Sequence, residues 1–104
     1  DVRDIGRYLT VIMQKGEKGG IYNLCSGKTY SIKEILNILL SFSKEKIEVE
    51  VDKTKFRPID IPKLAGSNQL IKKQFNLFPE YQIEQTLFDL LNHWRNEPEC
   101  KLMW

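Results

Sequence analysis

Cys25-Ser26-Gly27-Lys28-Thr29 is the first segment whose residue types suit chemistry, because Gly-Lys-Thr between a strand and a helix forms the end of a phosphate-binding loop. The spacing fails. Such a loop needs a further glycine five positions before Gly27, where backbone amides fold around the phosphates, and Tyr22 stands there. The segment therefore reads as a turn. No Gly-x-Gly-x-x-Gly occurs, so the dinucleotide fingerprint is missing as well. Carbonyl reduction commonly uses a tyrosine acid whose phenolate is stabilised by a lysine four residues on. After Tyr8, Tyr22, Tyr30 and Tyr81 that place is held by Ile12, Ser26, Glu34 and Gln85, so the pair is absent.

His93 is the one histidine and falls off the apolar stripe of its helix, beside Asp89 and Glu97, as a solvated surface residue. With only Cys25 and Cys100 besides, no metal-ligand cluster is offered. Lys44-Glu45-Lys46 and Lys72-Lys73 read as solvated faces rather than a phosphate-tracking stripe. What remains is Arg57-Pro58-Ile59-Asp60. Arginine presents a planar fork to two phosphate oxygens, proline fixes φ beside it, and an aspartate three residues on accepts from sugar hydroxyls. On spacing alone a surface Arg57–Asp60 ion pair is the commoner outcome.

The elements that must position these residues follow from apolar periodicity. Ile5, Tyr8, Leu9, Ile12 and Met13 form one stripe on a helix of about residues 4–15, with Asp4 as N-cap and Gly16 as left-handed stop. Ile21 to Cys25 reads as a short strand between glycines. Ser31 and Glu34 make a capping box for a core helix of about 32–44, expected to be buried on more than one side. Ile47, Val49 and Val51 alternate with Glu48, Glu50 and Asp52 as a half-exposed second strand. These give an α/β expectation: a small sheet with a β-α-β unit, crossing over right-handed and packed by helices. Lys53 to Pro62 is a long loop; Ser67 or Asn68 caps a short helix through about Phe75; Ile83, Leu87, Leu90, Leu91 and Trp94 line a last helix of about 83–97, ended by Pro98. Residues 98–104 form a tail with no usable period, whose Met103 and Trp104 either pack on a partner or fray.

Composition bounds the rest. The 104 residues, 41% hydrophobic and 29% charged, are one domain's worth of globular protein and exclude a complete two-domain enzyme. Sixteen basic against fourteen acidic residues leave +2, too little to point to nucleic acid without a clustered patch. No apolar run exceeds the length of Ile38-Leu39-Leu40, so no transmembrane helix is expected. Two cysteines and no signal peptide point to the cytoplasm. The chain opens on Asp1, without methionine, as an excised fragment would.

Taken in order, Asp1-Val2-Arg3-Asp4, Tyr22-Asn23-Leu24-Cys25-Ser26-Gly27, Ser31-Ile32-Lys33-Glu34-Ile35-Leu36, Arg57-Pro58-Ile59-Asp60-Ile61-Pro62 and Gly66-Ser67-Asn68 resemble the C-terminal substrate domain of extended short-chain dehydrogenases/reductases acting on nucleotide sugars, the NAD-dependent epimerase/dehydratase family. The resemblance covers residues 1–97 and is nearest to GDP-4-keto-6-deoxymannose reductases, with GDP-mannose 4,6-dehydratases close behind. It implies the C-terminal subdomain of a Rossmann-type enzyme that grips the nucleotide sugar, with Arg57 on the pyrophosphate and Asp60 on a ribose hydroxyl. It favours the ligand role of that pair over the ion pair. It further implies NAD or NADP bound by an N-terminal Rossmann domain that is absent here, that domain as partner, no cofactor or catalytic residue within this fragment, and no reduction by the fragment alone. Asn23 and Ser26 are then structural, and Asn68 is a helix cap. The rival from another class is a non-catalytic interaction module that keeps the fold without the ligand.

Overall fold

The computed structural model describes residues 1–56 and 61–97. Four α-helices and one 3-10 turn make up its regular structure: α1 (Val2–Lys15), α2 (Ile32–Ser41), η1 (Lys53–Lys55), α3 (Gln69–Phe75) and α4 (Ile83–Asn96). Among the described residues there is no strand, which overturns the α/β expectation of a small sheet with a β-α-β unit. Ile21–Cys25, expected as a strand from its residue types between glycines, packs Tyr22 and Leu24 on the core while Ile21 stands 87% exposed. It is held by side chains, however, and not by a ladder. Ile47, Val49 and Val51 alternate, yet each is at least half exposed. A period of two describes one segment, whereas a sheet requires the N–H and C=O groups of a second segment about 4.8 Å away.

The helices follow their local signals closely. Ser31 Oγ accepts from Glu34 N and Glu34 Oε2 from Ser31 N, the expected reciprocal box at the start of α2. The helix stops at Ser41, short of the expected 44, and none of its residues is fully buried. Ser41 Oγ donates to Ile38 O at 2.6 Å, the kind of side-chain bond that competes with helix propagation. Instead of a core helix, α2 lays one face on α4, where the Phe42 and Phe88 rings meet edge to face at 5.3 Å and Arg95 reaches the Phe42 carbonyl.

Tyr8 of α1, Ile71 of α3 and Leu77 form the other cluster, with Val11, Tyr22, Leu24 and Phe75 against it. Asn76 ends α3 in the left-handed conformation at φ 54°, which asparagine tolerates. The corresponding expectation at Gly16 is corrected: its φ is −66°, and the left-handed glycines are Gly19 and Gly27.

The N-cap of α1 is also corrected. Asp1 occupies it, its Oδ1 accepting from Arg3 N at 2.9 Å. Asp4 is 4% exposed and accepts from Arg7 Nη2 at 2.8 Å and from the Glu80 and Tyr81 amides at 3.1 Å. Burial pushes the Asp4 carboxyl upward, but the Arg7 guanidinium and the two amides outweigh it and hold it below its ordinary value. A depressed carboxylate pKa contributes stability that is present above the unfolded value of about 3.9 and disappears as pH falls through the lower folded value. Asp4→Ala leaves two amides without their acceptor and removes the carboxylate that faces Arg7, so urea unfolding at pH 7 should show a loss of about 3 kcal/mol. Below pH 3 the gap between variant and parent should narrow.

Candidate functional site

Gly27 and Asn68 shape the turn on which the candidate site is built. Gly27 has φ 76°, a conformation that favours glycine, and a Cβ there would press on Asn68 Oδ1 at 3.0 Å. Asn68 takes the N-cap position of α3 but makes no capping bond; its Nδ2 donates instead to Ser26 O at 2.8 Å. Nearby, a Cβ on Gly66 would lie 2.8 Å from Cys25 Sγ. Cys25-Ser26-Gly27 and Gly66-Ser67-Asn68, distant in sequence, are thus one contact in space. Ser26 Oγ accepts from Lys28 N at 3.1 Å, completing the turn expected of this segment.

This turn projects Lys28 and Tyr30 into the wall between two cavities. One, of about 900 Å³, is bounded by Lys28, Tyr30 and Ile35 on one side and by Ile61, Pro62 and Leu64 on the other. Arg57 and Asp60 themselves lie outside the described residues, as does the tail 98–104. The other cavity, of about 390 Å³, has Lys28, Tyr30, Lys72, Phe78 and Tyr81 in its wall. Lys28 and Lys72 take part in none of the ion pairs among the described residues, and the Lys72 ammonium lies 5.7 Å from the centre of the Phe78 ring.

Electrostatics separates these lysines from a phosphate loop. The first turn of α2 is closed by its own Ser31–Glu34 box, and the Ser31 amide and hydroxyl hold the Glu34 carboxyl below its ordinary value. A phosphate at that helix end would meet the Glu34 carboxylate, whose charge opposes it. His93 is exposed, its Nε2 3.7 Å from Glu97 Oε1. Among the described residues no group of three His, Cys, Asp or Glu side chains could hold a metal ion, and no described helix is long and apolar enough to cross a membrane.

Sequence spacing missed Lys28, Tyr30 and Lys72 as a group. The Lys72-Lys73 pair reads as a solvated face because only the fold brings Lys72 opposite the 25–31 turn.

No protein-family model matches the chain. Over 96 residues it is 27% identical to the GDP-6-deoxy-D-mannose reductase of Pseudomonas aeruginosa, an alignment covering 92% of this chain and 32% of that protein. The chain therefore spans about a third of the length of the curated relative it matches and is similar, along nearly all of itself, to a region of a nucleotide-sugar reductase.

Asn68→Ala removes the bond from the buried Asn68 side chain to Ser26 O. Stability should fall by about 1–3 kcal/mol in denaturant unfolding, and the amide resonances of Ser26 to Tyr30 should move while those of α4 stay.

Proposed function

We propose that the chain is the substrate-gripping region of an NAD(P)-dependent reductase acting on a GDP-linked 4-keto-6-deoxy sugar. The observation that carries this is the alignment to a GDP-6-deoxy-D-mannose reductase across 92% of the chain. In this reading the nucleotide sugar lies along the cavity of about 900 Å³ on the side of Ile61, Pro62 and Leu64, away from the Glu34 carboxylate. Arg57 grips the pyrophosphate as a bidentate donor, and Asp60 accepts from a ribose hydroxyl. A 4,6-dehydratase would share these residues and differ in the catalytic groups of its other domain.

Nothing in these 104 residues fits a dinucleotide, since they lack the glycine fingerprint and the tyrosine-lysine pair. Hydride transfer is accordingly assigned to a cofactor-binding domain of the parent enzyme, and this chain's part is to bind and orient. That domain is also the packing partner we propose. Support for a partner comes from Ile47, Val49, Val51, Ile61 and Leu64, all more than half exposed, and from a radius of gyration of 17.8 Å against about 13 Å for a compact chain of this length.

Calorimetric titration of GDP into the parent enzyme should give binding that Arg57→Ala weakens about 10- to 100-fold, the usual effect of losing a charge-assisted hydrogen bond. Unchanged affinity in Arg57→Ala would remove the phosphate role from that residue. Turnover of a GDP-linked keto-sugar with NADPH by the 104-residue chain alone would show that catalysis does not depend on another domain.

A further inference from the structure

The cavity of about 390 Å³ lies on the other side of Lys28 and Tyr30 from the one assigned to the nucleotide sugar, and its remaining wall comes from α3, the 78–82 turn and the first turn of α4. Its charge is one-sided. Lys28 and Lys72 approach it from separate elements without a carboxylate partner among the described ion pairs. Its own acid, Asp1, is spent: the side chain is 3% exposed, bonded to Arg3 at 2.8 Å and to the Thr86 hydroxyl at 2.6 Å. Glu80 is turned to Arg7 at 3.3 Å.

The rest of the wall joins the rings of Tyr30, Phe78 and Tyr81 to the polar side chains of Ser26, Gln82 and Thr86, and the Arg3 guanidinium lies 3.7 Å from the centre of the Tyr81 ring. A second space of about 250 Å³ adjoins it, sharing Asp1, Ser26, Pro79 and Tyr81 and lined also by Tyr8. Tyr8 is 2% exposed and its hydroxyl has no hydrogen-bond partner, a polar group that a ligand atom or a water would satisfy. Two unpaired ammonium groups beside flat rings suit an anion at one end of a molecule and a planar ring at the other. The volume falls in the range of about 300–1,000 Å³ usual for small-molecule sites.

We infer that this cavity is a second anion site, independent of the nucleotide-sugar reading, that takes an organic phosphate bearing a planar ring, the chemical class of a nucleoside monophosphate. Lys28 and Lys72 hold the phosphate, and the Tyr30, Phe78 and Tyr81 rings receive the ring.

The test is a titration of the chain with guanosine 5′-monophosphate, followed through amide resonances, for the parent and for Lys72→Gln, Lys72→Arg and Arg57→Ala. Lys72 borders this cavity and not the larger one, and its side chain makes no hydrogen bond among those described, so its replacement leaves the fold in place, which far-UV circular dichroism checks. Shifts at Lys72, Phe78, Tyr81 and Ile83 are expected. Affinity should fall about tenfold in Lys72→Gln, be retained in Lys72→Arg, and stay unchanged in Arg57→Ala. Shifts confined to Ile35 and Ile61 to Leu64, or equal affinity in Lys72→Gln and parent, would overturn the site without touching the nucleotide-sugar proposal. Inorganic phosphate binding as tightly as the nucleotide would overturn the role given to the rings.

Discussion

The carboxylate of Asp4 is a charge kept inside the protein, and the arrangement of the other elements depends on how that charge is satisfied. An isolated buried carboxylate would take up a proton instead of remaining ionised. Here Arg7 supplies a countercharge from the next turn of α1, while the amides of Glu80 and Tyr81 come from the far end of the chain. Arg7 Nη2 also donates to the Phe78 carbonyl at 2.6 Å. The 78–82 turn is thereby fastened to α1 at both its ends, and it is this turn that launches α4. The direction of α4, the aromatic wall of the smaller cavity and the seat of α2 on α4 all descend from one side chain.

A second fastening works on the same principle. Asn68 joins the start of α3 to the Ser26 carbonyl, and Gly27 allows the close approach. Both fastenings are side-chain bonds to backbone groups of remote segments, and together they take the place that ladder hydrogen bonds hold in a sheet protein. The consequence is uneven order of packing. Tyr8, Ile71 and Leu77 are enclosed where α1, α3 and the 21–25 segment converge, whereas the apolar residues at 47, 49 and 51, beyond either fastening, remain open to solvent.

How much of this the sequence shows depends on whether a signal is local. The Ser31–Glu34 box lies within four residues and is realised as expected, and α4 ends within one residue of its expected limit because the stripe from Ile83 to Trp94 and Pro98 leave few alternatives. The N-terminal cap was expected at Asp4 and falls on Asp1 for a physical reason: both are good cap residues, and only the remote Glu80 and Tyr81 amides decide that Asp4 goes inward. Asn68 stands at a cap position with its side chain turned elsewhere for the same reason. The strands failed because β-forming residue types at 21–25 and alternation at 47–52 describe one segment each and say nothing of its neighbour. At the site, Arg57 and Asp60 stood out since they lie three apart, while Lys28 and Lys72, separated by 44 positions, are joined only by the fold.

Gly27-Lys28-Thr29 shows how the two levels combine. As a contiguous motif it lacks the glycine that would let backbone amides encircle a phosphate, and the structure adds a second obstacle in the Glu34 carboxylate at the mouth of α2. With the helix end closed, the lysine cannot share a ligand with α2 amides in the way a phosphate loop does. Its ammonium is left facing the two cavities its turn divides, so the charge that failed a motif test is free to serve side-chain recognition instead. The constraint runs from Ser31 outward: with the Glu34 carboxylate held at the start of α2, any phosphate bound here must depend on lysine side chains more than on backbone. Affinity at these cavities should then follow side-chain charge and fall with added salt, as expected of sites made from partly exposed ammonium groups.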